Sequence, residues 1–233
     1  MTNNIYVTYQ KEIEKIIKND DTISIFLVGS SKNIDIDSAD IEINDIDVFV
    51  FVNQGENQVR IIKNIDGIEF DINYFSRNGF KKLVDNKEYF FLKEMKDAKV
   101  IYDKHNTAKN IINLCKQKYL EGPKKLSKEE KHFMKIDIGS KLSRLENKEK
   151  FDEFEYDFLT KIYLKDIIVG YFSINDKWVP KDKNLLKLLR IENIELFNLV
   201  KEYNEMCNYE DLLKIYDYVF KDISISKMIK ITY

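Results

Sequence analysis

Three short stretches carry residues whose types and spacing can do chemistry. Val28-Gly29-Ser30 comes first, Asp45-Ile46-Asp47-Val48 follows after fourteen residues, and Phe70-Asp71-Ile72 comes later. Successive side chains on a strand alternate between faces, so Asp45 and Asp47 share one face and Ile46 and Val48 the other. Two carboxylates at neighbouring same-face positions repel, and burying them is costly without a cation. Their oxygen donors suit a hard divalent ion such as Mg²⁺. Glu69, Asp71 and Asn73 share a face of a second strand; if that strand lies beside the first, Asp71 joins Asp45 and Asp47 around one or two metal ions. Such a site orients a triphosphate, neutralises charge in an in-line displacement and helps deprotonate an attacking hydroxyl. The Gly-Ser turn supplies the phosphate end. A strand ending in Gly-Ser before a helix start offers backbone N–H groups and a hydroxyl. Gly29 permits close approach, and Ser30 or Ser31 can donate to the β- or γ-phosphate.

These side chains need elements to position them. Residues 22–28 (TISIFLV) read as a buried strand that ends at Gly29-Ser30-Ser31. Residues 43–52 are β-branched, aromatic and free of Pro and Gly, the mark of a strong strand. Residues 59–64 and 68–75 read as strands joined by Asp66-Gly67, a hairpin signal, and residues 98–102 as a fifth strand. Ile5, Tyr9, Ile13, Ile16 and Ile17 fall on one face of a helix over 5–18, and helices fill 77–96. From about residue 106 the pattern is helical only, over 106–120, 127–147, 152–172, 183–189, 192–205 and 209–221. Gly122-Pro123 is the clearest linker-like punctuation. The resulting expectation is an α+β fold: residues 1–105 form a domain with a mixed sheet flanked by helices, and residues 106–233 a helical bundle.

Composition sets the remaining bounds. The 233 residues carry 38 Lys and Arg against 40 Asp and Glu, a balance that argues against general nucleic-acid binding. With 44% hydrophobic residues the chain can build a core. Residues 20–71 carry twelve acids and three bases, and residues 72–120 eleven bases and five acids, so the near-zero total hides an acidic block that contains the three strand aspartates. Only four of the bases are Arg, which reads as codon-composition bias. Cys115 and Cys207 are too few for a disulfide framework or zinc site and fit a reducing cytoplasm. A cytoplasmic location is expected, because no secretory leader and no run of about eighteen apolar residues is visible. A calcium loop beginning at Asp35, with Asp37, Asp40 and Glu42, fails at Ala39, Asp40 and Ile46; a surface loop is expected there. His105 and His132 lack a ligand partner four residues on. There is no Gly-x-x-x-x-Gly-Lys-Ser/Thr phosphate loop.

Gly29-Ser30, the spaced Asp45-x-Asp47 and the later Asp71 together resemble the signature of the DNA polymerase β-like nucleotidyltransferase superfamily, over roughly residues 22–75. The interval between Ser30 and Asp45 is slightly longer than that pattern has. A second, local similarity lies in residues 163–186. The segment Asp176-Lys177-Trp178-Val179-Pro180-Lys181-Asp182-Lys183 resembles one in bacterial aminoglycoside and lincosamide adenylyltransferases, in which a Pro-Lys pair opens a helix and the lysine reaches the triphosphate. The match is Lys181, with Lys183 as a competitor and Tyr203 as a further phosphate contact. The resemblance implies transfer of a nucleoside monophosphate, AMP from ATP, to a hydroxyl, with release of pyrophosphate. Asp45 and Asp47 would hold Mg²⁺, Asp71 would be a third ligand or the general base, and the nucleotide would lie between the domains. A small-molecule acceptor of the antibiotic type follows from the same likeness. The run Asp152, Glu153, Glu155, Asp157 reads either as a solvated helix face or as recognition of a cationic acceptor. Adenylylation of a protein or tRNA, as in antitoxin-type enzymes, and a non-catalytic nucleotide-binding module are the alternatives. A ribonuclease-toxin type of helical domain is disfavoured, since neither Arg144 nor Arg190 has a His a few residues later. Monomer and homodimer both stay open.

Overall fold

The computed structural model describes residues 4–33, 45–206 and 208–224. Asp35, Asp37, Asp40, Glu42 and Cys207 lie outside them. The alternating segments form β1 (Thr22–Leu27), β2 (Asp45–Val52), β3 (Gln58–Ile65), β4 (Ile68–Ser76) and β5 (Lys99–Asp103), in one sheet of order β3-β4-β2-β1-β5. β2 and β4 run parallel and the other neighbours antiparallel, so the sheet is mixed, as expected. β3 and β4 are joined at Asp66 (φ 54°) and Gly67 (φ 84°). Both are left-handed, the backbone a two-residue hairpin turn of this hand requires.

Each sheet face has its own cover. On one, Tyr9, Ile13 and Ile16 of α1 (Asn4–Ile17) pack with Ile25, Leu27, Ile46, Val48, Val50, Phe70 and Ile72. On the other, Phe49, Phe51 and Phe75 meet Phe80 of α2 (Arg77–Asp85) and Phe91 of α3 (Tyr89–Met95), with ring centroids 5.0 Å apart for Phe49–Phe75, 5.2 Å for Phe75–Phe91 and 5.1 Å for Phe51–Phe80. Edge-to-face rings at these separations add to the area they bury.

The chain divides into two compact units, Met1–Glu121 and Gly122–Tyr233. The sequence pattern places the boundary after residue 105; the structure moves it to the Gly122-Pro123 punctuation. The reason is α4 (Ala108–Leu120), which is docked on the sheet unit. Asp103 at the end of β5 accepts hydrogen bonds from the N–H groups of Thr107 (3.1 Å) and Ala108 (2.8 Å), Tyr119 stacks on Tyr89 with centroids 6.3 Å apart, and Lys87 pairs with Glu121 at 3.3 Å. Cys115 is buried in this helix, and burial pushes its thiol up to about 12. The second unit holds α5 (Lys128–Leu145), α6 (Glu153–Ile174), α7 (Asp182–Glu192), α8 (Ile194–Met206) and α9 (Tyr209–Phe220). Its core includes Leu142, Ile167, Phe172, Leu189, Leu196, Leu212 and Phe220. No helix among the described residues is long and apolar enough to cross a membrane.

Candidate active site

The acidic residues sit where β2 and β4 begin. Asp45 is exposed and Asp47 half-buried, on the face that continues as buried Phe49 and Phe51. Parallel pairing sets Asp47 opposite Asp71 and Asp45 opposite Glu69, so the expected juxtaposition of Asp47 and Asp71 is present at the backbone. Phe80 of α2 and Phe91 of α3 pack on the phenylalanine end of this face.

The Gly-Ser turn is tied to Asp47. Val28 N–H donates to the Asp47 carbonyl (3.0 Å), Asp47 N–H donates to Ser31 Oγ (3.3 Å), and the Ser31 hydroxyl donates to the Val28 carbonyl (2.9 Å). Gly29 has φ +65°, and a Cβ built on it would lie 1.9 Å from Asp47 Oδ2. Both the left-handed backbone and the adjacent carboxylate demand glycine here. Two expectations change. Ser31 is fully buried and its hydroxyl faces inward, which leaves exposed Ser30 as the hydroxyl that can meet a phosphate. The Gly29 N–H, expected to face phosphate, donates to Glu94 Oε2 of α3 at 2.9 Å.

Asp71 is engaged as well. Arg60 on β3 donates from Nε to Oδ1 (2.9 Å) and from Nη2 to Oδ2 (2.7 Å). Asn73 Nδ2 donates to Oδ1 (3.0 Å), and Gln58 Nε2 donates to Asn73 Oδ1 (3.0 Å). The hydrogen bonds to Asp71, and its charge, raise the Arg60 pKa above its ordinary value, with smaller contributions from Asp47 and Glu69. Sequence reasoning missed Arg60 and Glu94. A signal for Arg60 exists: a turn at Asp66-Gly67 sets Arg60 opposite Asn73 and Ile62 opposite Asp71, which puts Arg60 on the face of Asp71. Glu94 reaches Gly29 from a helix 65 residues away, with no local signal.

Among the described residues, no three His, Cys, Asp or Glu side chains gather as a metal-binding group. The three-carboxylate centre expected from Asp45, Asp47 and Asp71 is not assembled, because Arg60 and Asn73 hold Asp71. A smaller donor set still fits Mg²⁺, which is commonly bound through one or two carboxylates together with substrate phosphates and water. Asp45 and Asp47 supply those oxygens from adjacent same-face positions.

In the second unit, Lys181 and Lys183 are exposed at the start of α7. Tyr203 is 2% exposed and lies in the core; packing inside the bundle withdraws it from the phosphate contact the resemblance implies. Asp152 and Glu155 form a capping box at the start of α6, with Glu155 N–H donating to Asp152 (2.8 Å) and Asp152 N–H to Glu155 (3.2 Å). Asp157 pairs with Lys161 at 2.7 Å. Helix capping thus accounts for two acids of the run and the Lys161 pair for a third, and Glu153 is its remaining exposed acid.

No family model matches the chain, and no curated protein matches its sequence. Its fold is similar to the crystal structure of a nucleotidyltransferase-like protein from Exiguobacterium sibiricum 255-15, with a TM-score of 0.50 and 8% identity over 94% of this chain and 75% of that one. The chain, with its mixed sheet and the helices that follow it, has a nucleotidyltransferase-like fold.

Proposed function

We propose that the protein transfers a nucleoside monophosphate, AMP from ATP, to a hydroxyl of a small-molecule acceptor and releases pyrophosphate. The observation that carries this reading is the pair Asp45 and Asp47 at the start of β2, hydrogen-bonded through the Asp47 backbone to Val28 and Ser31 at the Gly-Ser turn, in a chain of nucleotidyltransferase-like fold. Asp45 and Asp47 would hold a divalent cation, which when bound offsets phosphate charge and polarises the reacting phosphoryl group. The acceptor oxygen bonds to the α-phosphorus as the bond from that phosphorus to the bridging oxygen breaks. Pyrophosphate leaves with the electron pair, and the hydroxyl proton passes to a carboxylate of the site. Ser30 offers its hydroxyl to the leaving phosphates. Lys181 and Lys183, exposed at the start of α7, would be further phosphate ligands. The capping role of Asp152 and Glu155 weakens the case for a cationic acceptor, so the acceptor class is proposed only as a hydroxyl-bearing small molecule, with aminoglycosides and lincosamides as the first panel.

The test is Mg²⁺-dependent pyrophosphate release from ATP across that panel. Asp47→Asn is expected to lower release by roughly a thousandfold, the equivalent of about 4 kcal/mol of transition-state stabilisation. Release that is unchanged in Asp45→Asn and Asp47→Asn would refute the mechanism. Nucleotide binding with no turnover on small molecules, tRNA or proteins would favour a non-catalytic module.

A further inference from the structure

Asp71 stands across the ladder from Asp47, yet both of its oxygens already accept hydrogen bonds from one guanidinium. Two parallel N–H···O bonds are the arrangement in which planar Arg and carboxylate groups match best, and Lys cannot reproduce it. The third bond comes from Asn73, itself buried and held by Gln58. The Asp71 side chain is 17% exposed and that of Arg60 57%. The carboxylate is therefore fixed by a network within the sheet face, while its cation approaches from solvent on the edge strand β3. In a chain with 38 bases, of which four are Arg, the one base facing the acidic cluster from β3 on this side is an arginine.

We propose that Arg60 is the built-in counter-cation of Asp71 and keeps its carboxylate out of the metal site. A guanidinium bound at both oxygens blocks the positions a metal ion would need, and its charge repels a second cation nearby. Asp71 then acts as a fixed hydrogen-bond acceptor. The inference rests on the proposed metal role of this site but concerns a different residue, so the two can fail separately.

The experiment measures Mn²⁺ uptake by the full chain without nucleotide, from the electron-paramagnetic signal of the free ion. Arg60→Gln is expected to bind Mn²⁺ about fivefold more tightly than the wild type, or to take up an additional ion. Asp71→Asn in the Arg60→Gln background is expected to cancel that gain. Arg60→Lys, which keeps the charge on the same exposed strand, is expected to fall between the wild type and Arg60→Gln and guards against a folding artefact. Uptake by Arg60→Gln equal to that of the wild type, including none at all, overturns the proposal; so does a gain that survives Asp71→Asn. Asp47→Asn separates the two ideas. If it retains the wild-type ion, the metal role of Asp47 in the proposed reaction fails, whereas an Asp71-dependent gain in Arg60→Gln still upholds the role of Arg60.

Discussion

On the sheet face that β2 and β4 share, Asp45 and Asp47 give way to Phe49 and Phe51, and Glu69 and Asp71 give way to Asn73 and Phe75. The strands, the period and the parallel register are the same at both ends. What differs is the cover: α2 and α3 bring Phe80 and Phe91 onto the phenylalanine end, and Asp45 at the other end is exposed. Alternation decides which face a side chain occupies, and the helix above it decides whether that position must be apolar. The carboxylates stand on a strand with a buried continuation because the phenylalanine rings of α2 and α3 pack on its other end and because Arg60 pairs with Asp71.

This contrast assigns stability to one end and the proposed chemistry to the other, and the largest expected effect tests that division. Phe91 is fully buried, stacked 5.9 Å from Phe49 and edge-on to Phe75 at 5.2 Å. Phe91→Ala is expected to cost about 3–5 kcal/mol of stability through lost burial and the cavity left behind. Asp45→Asn, at the exposed end of the same face, is expected to stay within about 0.5 kcal/mol of the wild type. Urea unfolding of the two variants decides the matter, and a comparable loss in both would break the comparison.

A smaller effect sharpens it at the junction of the turn and β2. Gly29→Ala forces a side chain into left-handed backbone and against the Asp47 carboxylate, 1.9 Å from the new Cβ. A cost of about 2 kcal/mol is expected, part from the backbone and part from displacing Asp47. Asp47→Ala removes the second part, so the double variant should cost clearly less than the two single costs added together. Additive costs in the unfolding measurement would mean that Asp47 does not press on the turn.

The same site shows what local rules make legible. The strand at 43–52, the Asp66-Gly67 hairpin and the Gly-Ser turn follow from period, β-branching and turn chemistry, and with them the meeting of Asp47 and Asp71. Arg60 is equally within reach, since a two-residue turn fixes the register of the whole β3–β4 pair; the charge count hides it among the bases. The Asp152-to-Glu155 spacing is a capping-box pattern that charge alone disguises as a recognition surface. Other features depend on packing between distant segments. The bond from Gly29 to Glu94, the inward turn of Ser31 and the burial of Tyr203 are set by which helix lands on which surface, and no neighbour in sequence announces them. The position of α4 is of the same kind: its own residues fix a helix, and only its docking against α3 fixes its unit.

The opposite face of the sheet offers the last and smallest test, because it holds an acid under the opposite conditions. Glu12 of α1 is 3% exposed and pairs with Lys63 on β3 and, at 3.3 Å, with Lys15. Burial pushes its carboxyl upward, but the hydrogen bonds and charges of Lys63 and Lys15 outweigh burial and hold it below the usual value. A carboxylate whose folded-state pKa is depressed contributes stability above its unfolded pKa and loses it as pH falls through the folded one. Glu12→Gln is therefore expected to lower stability by about 1 kcal/mol at neutral pH, with the gap to the wild type closing as pH drops below about 4. Urea midpoints measured from pH 7 downward read this out directly. A gap that stays constant with pH would mean that Glu12 contributes shape and not charge, and that exposed and buried acids on the two faces of this sheet differ less than their surroundings imply.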